Sequence, residues 1–235
     1  MRRNPVPGAD LGIYVAAIPL LLRNPVIVVV PLLMTIVGVL VGQLLSGPLG
    51  GFASLFEALL GMFGLGAACI MADQAWRRGR VSFEDGWSDA RRRAGDIFMS
   101  ALGVTLLLTV AGYLGAFLGP LALLVIAAAA VFLIWAVPAT AIGGIPGGAS
   151  IQVSVDRVRS TPVPAVVAAV VSVLAIYLAR LAAFNLTIVA LPYAGASYFL
   201  AGALIEAVLQ AIAISYVAFI LAKTYADSAF RPPRW

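Results

Sequence analysis

Six stretches of nearly unbroken apolar residues run along the chain, at about 26–46, 52–72, 97–118, 120–140, 163–190 and 200–222. Each holds about 20 residues or more, and at about 1.5 Å of rise per residue that is enough to cross a hydrocarbon core of roughly 30 Å. The pattern predicts an all-α, polytopic membrane protein of about six transmembrane helices, organised as one integral membrane domain over residues 1–235. Ser46-Gly47-Pro48-Leu49-Gly50-Gly51, Leu118-Gly119-Pro120 and the stretch around Leu191-Pro192-Tyr193 read as the turns of three hairpins, and none of the three carries a charge.

The polar segments between the hairpins have a pattern of their own. In 81–93, Phe83, Trp87 and Ala90 recur at helical spacing while Glu84, Asp85, Asp89 and Arg92 fall elsewhere. In 149–159, Ile151, Val155 and Val158 do the same, with Asp156, Arg157 and Arg159 opposite. Both read as short helices lying in the plane of the headgroups, with Arg91, Arg93, Arg157 and Arg159 as their interfacial basic groups. Arg2 and Arg3 before an apolar stretch give the amino terminus the look of a signal peptide, but that stretch ends at Arg23 and not at a small-residue cleavage site. Residues 9–22 are therefore expected to be a retained interfacial helix.

Pro48, Pro120 and Pro192 are spaced 72 and 72 residues apart. Ser88-Asp89-Ala90-Arg91-Arg92-Arg93 and Ser154-Val155-Asp156-Arg157-Val158-Arg159 share the form Ser-x-x-Arg-x-Arg, and Arg23-Asn24-Pro25-Val26 echoes Arg159-Ser160-Thr161-Pro162-Val163. We read three copies of one unit, a short amphipathic helix followed by a transmembrane hairpin. Gly38-x-x-x-Gly42 and Gly115-x-x-x-Gly119 suit close helix packing, while Gly143, Gly144, Pro146, Gly147 and Gly148 are expected to end the fourth span and form a loop.

Composition agrees with this reading. Hydrophobic residues make up 63% and charged residues 11%, against roughly 45–50% and 25% in soluble domains. The formal charge is +5 and the pI about 9.8, yet the basic residues sit between apolar runs and not across one face of a soluble domain, so a lipid partner is expected and nucleic acid is not. Of the 15 Lys and Arg, all but Arg180 fall on one side of the predicted topology. The positive-inside rule makes that side cytoplasmic and places the chain in the inner membrane of a prokaryote, with both termini in the cytoplasm. Histidine is absent and the single cysteine, Cys69, lies inside an apolar run. This removes histidine-based catalysis and any intrachain disulfide, and neither a metal nor a cofactor is expected.

An ionisable group in hydrocarbon costs roughly 2.5–3.5 kcal/mol or more, which makes Glu57, Arg180 and Glu206 the candidate site. All three are expected in the outer half of the bilayer. Arg180 is expected to pair with Glu206 or Glu57, with Gln43, Asn185 and Gln210 completing a polar cluster. Such a cluster is either a dry structural clamp, which this reading favours, or a solute site open to water.

Asp85-Gly86-Trp87-Ser88-Asp89-Ala90-Arg91 resembles the start of the Asp-Gly-x-x-Ala-Arg signature of membrane CDP-alcohol phosphotransferases. One extra residue separates Gly86 from Ala90, and no later Asp pair follows to hold metal. Trp135-Ala136-Val137-Pro138-Ala139, Gly79-Arg80-Val81-Ser82-Phe83 and Tyr225-Ala226-Asp227 resemble the membrane domain found with bacterial glycerophosphodiester phosphodiesterases, and stand-alone membrane families related to it. That resemblance implies a six-helix membrane unit of unassigned role, because the phosphodiesterase chemistry of the family resides in a separate soluble domain. The function expected is non-catalytic: an accessory, anchoring or membrane-organising protein touching the anionic inner leaflet, with a membrane-protein partner or a second copy as further company. A small-solute transporter or channel is the alternative. An enzyme acting on lipid comes third and would need a cleft lined by Asp85, Asp89 and Asp96.

Overall fold

Prolines and glycines punctuate the helices where the chain must turn. A computed structural model describes residues 11–45, 50–190 and 197–229. Helix α1 is Leu11–Arg23, and a 3-10 turn at Pro25–Val28 leads into α2, Val29–Leu44. Then follow α3 (Gly50–Arg78), α4 (Phe83–Arg92), α5 (Ala94–Phe117), α6 (Ala122–Leu133), α7 (Ala136–Ala141), α8 (Gly147–Ser160), α9 (Pro162–Ala190) and α10 (Ser197–Ala229). Gly79 and Gly144 take positive φ, +77° and +66°, in the chain reversals after α3 and α7, a conformation that costs glycine alone nothing. Among the described residues six helical segments are long and apolar enough to cross a bilayer, with α6 and α7 together making the fourth. The chain is an all-α, multi-pass membrane protein. The turns at 46–49 and 191–196, including Pro48 and Pro192, lie outside the described residues.

Two spans run further than their apolar runs. α3 continues through Asp73 and Arg77, paired at 3.0 Å, and α10 through Lys223 and Asp227, paired at 2.8 Å. Charges one turn apart with opposite sign support helix beyond the hydrocarbon. The expected loop at Gly147 and Gly148 is instead the first turn of α8. The expected fourth span is not continuous either. Pro138 has no N–H and its ring excludes the carbonyl four residues back, so the helix stops at Leu133 and restarts at Ala136. Ser154 on α8 repairs the gap: its hydroxyl accepts from Trp135 N–H (3.1 Å) and donates to the Phe132 carbonyl (2.8 Å). The Trp135 indole is fully buried and donates to Thr224 Oγ1 (3.1 Å) on α10.

The three hairpins are α2–α3, α5 with α6–α7, and α9–α10, and α10 packs on both α2 and α3 while α5 and α7 pack on α3. Each short helix leans on the hairpin before its own: α4 chiefly on α3, α8 on α5 and α7, and α1, closing the cycle, on α10. A second relation also recurs once per unit. A side chain from the last turn of the short helix, or from its junction with the first span, bonds a carbonyl in the last turns of the second span of the same unit or just past it. Asn24 donates to the Gly79 carbonyl (3.2 Å) and accepts from Val81 N–H (3.0 Å), Arg93 donates to the Ala141 carbonyl (2.7 Å), and Arg157 donates to the Tyr225 carbonyl (3.2 Å) with its guanidinium 3.8 Å over the Tyr225 ring. Helix C-termini leave carbonyls without partners, and near lipid these must be satisfied.

This corrects the reading of the interfacial arginines. Arg91 and Arg159 are exposed as expected, but Arg93 and Arg157 are turned inward. The Ser-x-x-Arg-x-Arg alignment pairs Arg91 with Arg157, whereas the shared role pairs Arg93 with Arg157. The apolar face expected of α8 is corrected as well, because the helix buries Gly147, Ser150, Ser154 and Val158. Ser100 Oγ and Ser150 Oγ share a buried hydrogen bond of 2.8 Å, so α8 is a packed element and not a floating one. α4 buries Gly86 and Ala90 and keeps Phe83 and Trp87, stacked at 6.1 Å, partly exposed at its edge. α1 buries Tyr14 and Ala17 and leaves Leu11, Val15, Ile18 and Leu22 outward as an apolar stripe.

At the arginine-bearing end the bundle is tightly packed. Ala67 to Ala72 of α3 and Val217 to Ala222 of α10 are all buried, together with Ile27, Val30 and Ile97. Alanine-rich faces let the helices approach closely without polar glue. If the arginine caps hold the units together, Arg93→Ala and Arg157→Ala will each lower unfolding stability in detergent by about 1.5–3 kcal/mol, while Arg91→Ala and Arg159→Ala will each change it by less than about 0.5 kcal/mol. Chemical unfolding followed by far-UV circular dichroism measures the difference, and equal effects at all four positions would refute the capping role.

Candidate functional site

The site is built by four helices in the half of the bundle opposite α1, α4 and α8 and includes Arg180. Arg180 lies about 27 Å along α9 from Pro162, and Glu57 about 32 Å along α3 from Arg78, by helical rise. Gly38 on α2 lets Glu57 lie close, since a Cβ added there would stand 3.1 Å from Glu57 Cγ. One turn further on, Gly42 has nothing within 4 Å of where a Cβ would be and faces open space. Glu206 and Gln210 follow one another by a turn on α10.

These residues line one open groove of about 580 Å³, together with Thr35 and Val39 on α2 and Ala203 on α10. Arg180 Nε and Glu206 Oε1 are 3.9 Å apart, an ion pair without a hydrogen bond, and the two side chains remain 61% and 49% exposed. Glu57 is exposed and has no ion pair among the described residues. The Arg180–Glu206 pairing expected from sequence is present, and neither side chain is enclosed by the protein. The Thr35 hydroxyl is occupied by its own helix, donating to the Pro31 carbonyl at 2.8 Å. Beyond Thr35 and Gln210 the groove meets the packed half of the bundle.

Of the six residues expected here, Glu57, Arg180, Glu206 and Gln210 come together. Asn185 does not, because its amide turns back to the Leu181 carbonyl at 2.7 Å. The Gln43 side chain lies outside the described residues. Thr35, Val39 and Gly42 were missed, although the spacing of Thr35, Gly38, Val39 and Gly42 marks one face of α2 as small or polar.

Three other places on the protein differ from this groove. A groove of about 650 Å³ between α3 and α5, lined by residues including Phe52, Leu55 and Tyr113, contains no Asp, Glu, Lys or Arg. A shallow hollow at the opposite end, lined by Phe83, Glu84, Trp87, Ser88, Arg91 and Arg92, is aromatic and basic. The three aspartates of the lipid-enzyme reading are engaged separately. Asp85 N–H donates to the Ser82 cap, Asp89 accepts from Gln74 Nε2 (2.8 Å) and pairs with Arg92, and Asp96 Oδ1 accepts from Gly147 N–H at 3.5 Å. Among the described residues no three His, Cys, Asp or Glu side chains are grouped to hold a metal ion.

No protein family, no characterised protein and no solved structure matches this chain. Function must accordingly be argued from the groove. Cys69 is fully buried, so the native chain offers no accessible thiol and introduced cysteines report cleanly. Ala203→Cys, in the groove, will react with a membrane-impermeant thiol reagent, and Val217→Cys, in the packed half, will not. Gly42→Leu will leave stability within about 1 kcal/mol of the parent, since its site is open and leucine favours helix, yet will block the reaction at Ala203→Cys. An unreactive Ala203→Cys would show the groove to be closed in solution.

Proposed function

We propose that this chain is a non-enzymatic, multi-pass protein of a prokaryotic cytoplasmic membrane that binds a small charged solute or headgroup in a groove open to the outer half of the bilayer. One observation carries the reading. Glu57, Arg180 and Glu206 share a groove in which the Arg180–Glu206 pair is loose and half-exposed, an arrangement that leaves hydrogen-bonding capacity free for a ligand. Charges retained in a bilayer only to fix helix register would gain more from tight, buried pairing.

The orientation follows from charge. Among the described residues every Lys and Arg except Arg180 belongs to the end carrying α1, α4 and α8, and the positive-inside rule assigns that end to the cytoplasm. There the Phe83–Trp87 edge with exposed Arg91 and Arg92, and the apolar stripe of α1, suit contact with an anionic leaflet. An accessory or organising role, carried out through that face, is compatible with ligand binding on the other.

Transport is the second reading, favoured because Thr35 and Gln210 extend the lining beyond the charges toward the middle of the bundle. It requires the packed half around Ile27, Val30 and Val217 to open, a two-state change that binding alone does not need. Two measurements test these readings. Arg91→Cys and Arg159→Cys will label from the same side of sealed vesicles, and Phe52→Cys from the other; labelling of 91 and 159 from opposite sides would end the topology. In a thermal-shift screen of charged solutes and headgroup analogues, ligands that raise the Tm of the parent will have no effect on Arg180→Gln or Glu206→Gln. Uptake of a stabilising solute into proteoliposomes would favour the carrier, and its absence the binding protein.

A further inference from the structure

The chemistry of the groove narrows its ligand, an inference that rests on the binding reading above. The lining contributes one guanidinium and two carboxylates, so a purely anionic headgroup meets one attractive and two repulsive charges. A quaternary ammonium is recognised by aromatic faces, and among the described residues none of the lining side chains is aromatic. A primary ammonium carries donors that a carboxylate accepts directly, forming charge-assisted hydrogen bonds.

Arg180 supplies the complementary need. At 3.9 Å from Glu206, and through Nε, its contact leaves the terminal nitrogens free to grip a planar or tetrahedral oxyanion. Its position, about 27 Å along α9 in a core of roughly 30 Å, brings the guanidinium within reach of the outer phosphate layer. Leu181 on α9 and Leu204 and Val208 on α10 are exposed at neighbouring levels, as segments in contact with acyl chains would be.

We propose that the groove binds a zwitterion that joins a phosphate to a primary amine, with the phosphate on Arg180 and the ammonium on Glu57 and Glu206, and that an outer-leaflet aminophospholipid is its source. The same headgroup chemistry in a soluble molecule is the alternative source, and the test separates the two.

The full chain is placed in nanodiscs containing phosphatidylethanolamine, phosphatidylcholine and phosphatidylglycerol of matched acyl chains, and retained lipids are counted by native mass spectrometry. The expected result is retention of phosphatidylethanolamine on the order of tenfold above its share, falling to its bulk share in Glu57→Gln and in Arg180→Gln. Asn185→Ala, outside the groove, keeps the preference. Glu57→Asp and Arg180→Lys keep the charges and part of the preference, which separates lost recognition from lost folding. In a parallel arm, soluble O-phosphoethanolamine is tested for protection of Ala203→Cys from thiol reagent. Protection without lipid retention supports the headgroup chemistry and assigns a soluble source. Neither retention nor protection, with Ala203→Cys still reactive, overturns this inference and leaves the binding reading standing; selective retention that survives both Gln substitutions overturns it too. An unreactive Ala203→Cys removes both together.

Discussion

A hairpin that crosses hydrocarbon and returns ends in carbonyls that no helix can satisfy, and the fold is organised around closing those ends. Asn24 and Arg93 reach from the start of a unit to the carbonyl that ends it, at Gly79 and Ala141, and Arg157 reaches the Tyr225 carbonyl one turn before α10 ends at Ala229. The cost of leaving such groups bare near lipid is several kcal/mol, more than most side-chain contacts supply. Once the capping residue is fixed, the short helix ahead of it must lie across the end of the bundle, and there it packs on the preceding hairpin. The cycle of α1 on α10, α4 on α3 and α8 on α5 and α7 follows from a local requirement met three times.

The same constraint explains which features of the fold are legible in sequence. Apolar runs of spanning length are forced by the solvent, so the six spans could be read directly from the residues. The break in the fourth span could not, because Pro138 sits inside an unbroken apolar run and the group that compensates it, Ser154, lies 19 residues from Trp135 on another helix. The three units were visible through their prolines and arginines, yet the motif register assigned equivalent roles to the wrong arginines. Asn24 performs in the first unit what arginine performs in the others, and no residue-by-residue alignment pairs an amide with a guanidinium. The apolar positions of α8 told only part: Val158 is buried and Ile151 packs on α5 beside Gly103, but Gly147 and Ser150 also belong to the packed face.

The candidate site was legible in charge and depth but not in shape. The expense of ionised groups in lipid singles out Glu57, Arg180 and Glu206, and helical rise places them at one level. Whether they are sealed or open depends on how far the helices separate, which composition does not encode. Asn185 lies about 7.5 Å further along α9 than Arg180, and its amide satisfies itself on the carbonyl one turn back.

Why the groove lies at the end opposite the short helices follows from the packing. Ala67 to Ala72 and Val217 to Ala222 bring α3 and α10 together at the capped end, while toward the hairpin turns α3 carries Phe52 and Phe56 outward and two open grooves flank it. A bundle held at its base and spread at its top has fixed walls and an accessible interior, the combination that orients charges without requiring them to satisfy one another. A shorter, bidentate contact between Arg180 and Glu206 would consume the donors and acceptors that a ligand needs. At 3.9 Å the pair offsets part of the cost of holding charge in a bilayer while leaving donors and acceptors unused, and the looseness of this one contact is what the proposed recognition site rests on.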